Sequence, residues 1–275
     1  MRSIDRVQEL LEEGMIDEIV QPLMSGKEAD VFIVRCDQEY RVAKVYKDAL
    51  NRSFRQRAAY TEGRRVRNTR QQRAMDRGSR YGRAQNEAAW QNAEVDALYK
   101  LGAAGVAVPK VHLFYEGVLL MDLLLDPAGK PAPRLVDCDF TSEEAWYIHG
   151  FLVAEVVKML CAGIIHGDLS EYNVLVAWNG PVIIDLPQAV LATHNRSARE
   201  LLVRDVTNIS RYLARFDKVI GETRFGEEMW EKFERAQLHA DTPLTGRWRG
   251  SNRRADARAV LREVEAAARE ARPRR

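Results

Sequence analysis

Residues 163–190, "GIIHGDLSEYNVLVAWNGPVIIDLPQAV", decide the fold, because they set two aspartates and an asparagine inside a run of apolar residues. "VLVA" and "VIID" flank "WNGP", the pattern of two short strands, 174–177 and 182–185, with Asn179-Gly180 in the turn. A symmetric four-residue turn would set Val174 opposite Asp185 and bring Asn173 beside Asp185 at the open end of the hairpin. Asp168 lies on the loop leading in from a helix that Gly163 closes. Three oxygen-bearing side chains then converge. A carboxylate beside an amide oxygen suits a hard divalent cation such as Mg2+. A second carboxylate close by can orient a hydroxyl or a water and accept its proton. Any one of the three could merely cap a turn; the set of three, at these spacings, is poorly explained that way.

Upstream, Thr141 followed by Glu144 is a capping-box pattern that opens the helix ending at Gly163. Before it, "DPAGKPAPRLVD" (126–137) reads as a proline-rich linker. Downstream, residues 197–216 have helical spacing. In the first half, residues 3–20 show apolar positions at helical intervals. "DVFIVRC" and "YRVAKVY" form a hairpin pattern around "DQE". Residues 84–101 are helical in pattern until Gly102 and Gly105, and "VAVPKVHLFYEGVLLMDLLL" reads as two more strands. A small β-rich lobe followed by a helical one predicts an α+β, bilobal chain with a cleft. The expected boundaries are 1–125 for the first lobe, 126–140 for the hinge, 141–240 for the second lobe and 241–275 for a basic tail.

The net charge is only +2 over 275 residues, but it is uneven. Residues 48–85 hold 11 arginines against 3 acids, and residues 246–275 hold 10 against 4. The basic stretches 48–83 and 246–275 are either solvated surface or contacts for a polyanion such as RNA. No apolar run reaches membrane-spanning length, and the start "MRSIDRVQELLEEGM" lacks a secretory core. Cys36, Cys138 and Cys161 are scattered and odd in number, as expected of reduced, mostly buried thiols in a cytoplasmic protein.

An aspartate, an asparagine five residues on, and a further aspartate past a short hairpin match the catalytic-loop and metal-loop spacing of kinases. Lys44 sits on a strand after the small-residue turn "SGKEA", where it could reach the phosphates of ATP. Glu94 is the best candidate for its helical partner, with Glu87 second.

Together "SGKEADVF" (25–32), "VAKVY" (42–46), "HGDLSEYNVL" (166–175) and "IIDLPQAV" (183–190) resemble the RIO atypical protein kinases and ATPases, of the type without an N-terminal winged helix. The likeness spans about residues 15–216. It implies a protein-kinase-like fold and an enzyme that uses ATP with Mg2+, or Mn2+ in its place. Ser25, Gly26, Lys27 and Glu28 would cover the phosphates, and Lys44 would bind them, paired with Glu94. Met121 and Leu123 would line the adenine pocket. Asp168 would be the base; Asn173 and Asp185 would hold the metal, and Asp185 could accept phosphate transiently. Residues 48–83 would be a flexible loop autophosphorylated at Ser53, Thr61, Thr69 or Ser79.

Departures from ordinary protein kinases matter equally. "HGD" replaces HRD, "DLP" replaces DFG, and about ten residues separate Asp185 from the next helix, too few for a peptide-docking platform. Three functions therefore compete. A serine/threonine kinase acting on itself or a protein partner leads. An ATPase switch on a ribonucleoprotein or ribosome-assembly particle follows. A small-molecule phosphotransferase of the aminoglycoside kind is third, disfavoured by "SGKEADV" and "DLPQ".

Overall fold

The computed structural model describes residues 3–26, 28–47 and 93–249. Lys27, Glu87, the stretch 48–83 with its four candidate hydroxyls, and residues 250–275 of the tail lie outside the described residues.

The first lobe is an antiparallel sheet of five strands: β1 (Glu18–Ser25), β2 (Ala29–Cys36), β3 (Glu39–Tyr46), β4 (Val111–Tyr115) and β5 (Val118–Asp122). Its order is β1-β2-β3-β5-β4. The central β3 is buried on both faces from Val42 to Tyr46, and the two-residue period of a strand divides its side chains. Ala43 and Val45 pack with Phe32 and Val34 against Val7 and Leu10 of the first helix, α1 (Ser3–Glu12). Tyr46 instead joins the core shared with Leu98, Leu119 and Leu152. Lys44, two residues before Tyr46, takes the same side. Truncating a wholly buried Leu10 at the α1 face would cost about 2–5 kcal/mol.

The helix expected over 3–20 stops at Glu12, and residues 18–25 form β1 instead. Leu10 O accepts the Met15 N–H and closes the helix. β1 is an edge strand whose side chains are nearly all exposed, so it carries no apolar alternation to announce itself. Pairing with β2 creates it, and an edge tolerates Pro22. Helical backbone over 93–103, α2, lies before β4 and carries Glu94.

Residues 126–137 fold back on themselves. Leu125 pairs with Pro131, the Asp126 carboxylate accepts the Ala128 and Lys130 N–H groups, and Leu135 is wholly buried. The second lobe then opens with α3 (Ser142–Cys161), whose Thr141–Glu144 capping box is complete. It packs on α4 (Ala198–Leu213) and α5 (Phe225–Glu234).

Two short strands, β6 (Ile164–Ile165) and β9 (Val190–Leu191), pair and close the base of the excursion that carries Asp168, Asn173 and Asp185. Inside it lies the hairpin of β7 (Val174–Ala177) and β8 (Gly180–Ile183). Its register differs from the symmetric expectation. Ala177 pairs with Gly180, so the turn holds only Trp178 and Asn179, and Val174 faces Ile183 rather than Asp185. Glycine permits this shorter turn, since Gly180 takes φ +124°. Asn173 still ends beside Asp185, because its carbonyl accepts the Ile184 N–H at 3.0 Å.

Of the three free thiols only Cys36 is buried; Cys138 is half-buried and Cys161, at the end of α3, is exposed, which corrects the expectation of mostly buried cysteines. Among the described residues no helix is long and apolar enough to cross a membrane.

Candidate active site

Lys44 is the meeting point of the two lobes. From the centre of β3 its ammonium lies 2.7 Å from Glu94 Oε1 on α2 and 2.8 Å from Asp185 Oδ1, just past β8. Glu94 is 2% exposed, and its other oxygen accepts the Tyr46 hydroxyl at 2.6 Å. Burial works against the ammonium, but Asp185 and Glu94 outweigh it and hold the Lys44 pKa well above the usual lysine value. The same attraction keeps the Asp185 carboxyl below its ordinary value despite desolvation. Asp185 is therefore an anion at neutral pH. Its backbone takes φ +65°, a conformation costing a non-glycine residue about 1–3 kcal/mol. His166, 2% exposed, braces it by donating from Nε2 to Ile184 O and accepting the Asp168 N–H at Nδ1.

Asp168 opens to solvent beside this triad. Desolvation of its inner side and the nearby Asp185 raise its pKa, against His166 and Arg204, which lower it. The Asn173 side-chain nitrogen donates to Asp168 O at 2.8 Å, so the loop engages the amide's nitrogen and not its oxygen. An ionised Asp185 and this amide oxygen are two hard donors. They fit a small divalent cation that takes its other ligands from phosphate and water. They are not a cage that would hold such an ion alone.

The glycine of "HGD" is dictated by space. Gly167 has φ +80°, and a Cβ there would meet Gln188 O at 2.5 Å. No arginine could stand at this position. A cation arrives from elsewhere: Arg204 of α4 donates to Gly167 O.

The other first-lobe candidates lie at the end of β1 and on or just past β5. Ser25 ends β1 and Gly26 follows it, where Gly26 N donates to Ala29 O and Glu28 O accepts the Lys47 N–H. Met121 lies on β5 and packs partly buried against the shared core, and Leu123 follows it half-buried.

Asp205 holds the Asp168 loop, and sequence spacing does not reveal it. It is 1% exposed, on the stripe of α4 formed by Leu202, Val206 and Ile209. Its carboxylate accepts the Gly167 N–H at 2.7 Å and the Leu169 N–H at 3.2 Å, so it holds the loop on both sides of Asp168. Burial pushes its pKa up to about 6, against the pull of His166 and those N–H groups. An acid on an apolar helical stripe is the one available signal. Tyr46 is likewise absent from the sequence-based site, though it lies two residues beyond Lys44 on the same face.

The RIO domain family model matches residues 30–224. The chain is 34% identical to the RIO-type serine/threonine-protein kinase Rio1 of Methanocaldococcus jannaschii, over 78% of this chain and 69% of that protein. The counterpart in Haloferax volcanii is also 34% identical, over 76% of this chain and 68% of that one. Serine/threonine-protein kinase rio1 of Schizosaccharomyces pombe is 33% identical over 76% of this chain, which spans only 40% of that longer protein. Among solved structures, a Rio2 kinase-ADP/Mg2+-phosphoaspartate complex from Chaetomium thermophilum superposes with a TM-score of 0.54 at 20% identity, covering 85% of this chain and 73% of that one. That likeness speaks to the kinase-like α+β fold. With sequence and fold in agreement, the chain belongs to the RIO domain family.

Proposed function

We propose that this RIO-type kinase domain transfers the γ-phosphoryl group of ATP to a serine or threonine hydroxyl, on itself or on a protein partner. The observation that carries the reading is the Lys44 ammonium held between Glu94 and Asp185. In that position it is a preorganised positive charge for nucleotide phosphates, needing no reorganisation when they arrive. Ser25, Gly26, Lys27 and Glu28 cover the phosphates, and Met121 and Leu123 face the base. Asp168 orients the attacking hydroxyl and takes its proton as the oxygen bonds to phosphorus and ADP departs. Asp205 keeps the loop around that carboxylate in place through two backbone N–H groups. Asn173 and Asp185 hold Mg2+, which when bound would neutralise charge on the phosphate oxygens.

A second reading rests on Asp185 itself. It is an anion beside Lys44, and the Rio2 structure named above is a phosphoaspartate complex. If Asp185 takes the phosphoryl group and water then removes it, the domain is an ATPase switch. The basic segments 48–83 and 246–275 would suit an RNA or ribosomal partner for it.

Incubation with γ-32P-labelled ATP and Mg2+, with and without RNA, separates the two. Acid-stable label on serine or threonine supports the kinase. Hydroxylamine-labile label with free phosphate released supports the switch. Neither product, from a folded chain, would overturn both.

A further inference from the structure

The carboxylate of Asp30 joins four parts of the chain. It stands where β2 leaves the phosphate loop, paired in register with Ser25 on one side and Val45 on the other. Its Oδ1 accepts the Ser25 hydroxyl at 2.6 Å and lies 2.7 Å from the Lys47 ammonium. Its Oδ2 accepts the hydroxyl of Ser3, the first residue of α1, at 2.5 Å. Lys47 extends the knot, donating to Gly26 O at 2.8 Å and Ser25 Oγ at 3.2 Å. A second tie from α1 runs from Arg6 to Tyr46 O at 2.9 Å. Asp30 shares a face of the sheet with Phe32, Val34 and its partner Val45, the face that α1 covers, so the knot lies on the side away from Lys44 and reaches the phosphate loop through Ser25 at the end of β1.

We propose that Asp30 is a positioning residue that fixes the phosphate loop and couples it to α1, making the N-terminal helix part of the nucleotide-binding apparatus. The inference rests on reading residues 25–28 as that loop. A loop whose described ends, Ser25, Gly26 and Glu28, are already tied down loses less freedom when a nucleotide arrives, and the gain appears as affinity. Lys47 also cancels the negative charge that Asp30 would otherwise present to phosphate. The Ser3 hydroxyl reaches this knot through Asp30. Partial burial would raise the Asp30 pKa, but Lys47, Ser25 and Ser3 together lower it, so the knot is intact at neutral pH.

The test is the affinity of the full chain for a fluorescent ADP analogue with Mg2+, beside KM and kcat for ATP. Asp30→Asn should weaken binding and raise KM about tenfold, with kcat within about twofold. Ser3→Ala should weaken binding about twofold to threefold, and Ser3→Asp about tenfold, because the new carboxylate repels Asp30. Gln8→Glu adds the same charge on an exposed position of α1 and should change nothing. Equal or tighter binding by Asp30→Asn and Ser3→Asp, or equal losses in Gln8→Glu, would overturn the coupling. So would a fall in melting temperature with nucleotide affinity intact, which makes the knot structural only. Failure of the wild type to bind nucleotide would instead overturn the reading of the site itself.

Discussion

Each lobe buries a carboxylate directly behind its cleft residues, and the two are treated differently. Glu94, in the first lobe, is met by a full positive charge at 2.7 Å and a tyrosine hydroxyl. Asp205, in the second, is met by two backbone N–H groups, with Arg204 at 3.7 Å. The first arrangement fixes a cation, which on the proposed reading meets the nucleotide phosphates. The second fixes a loop. A carboxylate compensated mainly by peptide dipoles remains partly unsolvated, so its pKa climbs to about 6 while Lys44 is held firmly charged. The contrast teaches that the binding wall is built to keep charge, and the chemistry wall to keep geometry at some electrostatic cost.

The comparison can be broken most forcefully where the walls meet. Asp185→Asn removes a Lys44 partner and the proposed metal donor together; turnover should fall roughly a thousandfold or more, and nucleotide affinity should lose its dependence on Mg2+. Titration of nucleotide binding with and without Mg2+ checks this. On the binding wall, Glu94→Gln leaves Lys44 with Asp185 alone. Breaking such a buried pair should lower stability by up to about 3 kcal/mol, read by denaturant unfolding, and raise KM for ATP about tenfold.

On the chemistry wall the expected signature is in pH. Asp205 has a folded pKa of about 6, above its unfolded 3.8, so the native state binds its proton more tightly than the unfolded state. That contribution is full below pH 3.8 and is lost as pH rises through 6. Asp205→Asn lacks it. The stability advantage of wild type over the variant should therefore shrink by about 2 kcal/mol between about pH 4.5 and pH 7. A constant difference would show that the carboxylate is not desolvated. Smallest is the capping box, remote from both walls. Thr141→Ala should cost about 1 kcal/mol in unfolding free energy and leave kcat unchanged within about twofold.

How much of the molecule is legible in its sequence depends on how local each signal is. Asp168, Asn173 and Asp185 lie within eighteen residues, between strands with clear apolar runs, so their gathering can be read from spacing alone. The capping box is four residues long and equally plain. The hairpin register is not legible, because two turn lengths fit "WNGP" and only the backbone of Gly180 chooses between them. β1 is hidden because an exposed edge strand is defined by its partner and not by its own pattern. Asp205 acts on backbone N–H groups 36 and 38 residues away, and Asp30 ties its near neighbour Ser25 to Ser3, 27 residues away, links that no spacing rule reaches. Met121 and Leu123 are half-buried, and nothing in their spacing distinguishes lining a pocket from filling a core.

The central claim is a division of labour: the first lobe binds the nucleotide and the second performs the transfer. Single-turnover transfer of γ-32P with Asp168→Asn, measured beside its equilibrium affinity for ATP·Mg2+, tests it most directly. The account predicts affinity within about twofold of wild type and a transfer rate lower by roughly a thousandfold or more. Transfer at the wild-type rate would contradict it, and so would a loss that comes entirely from affinity.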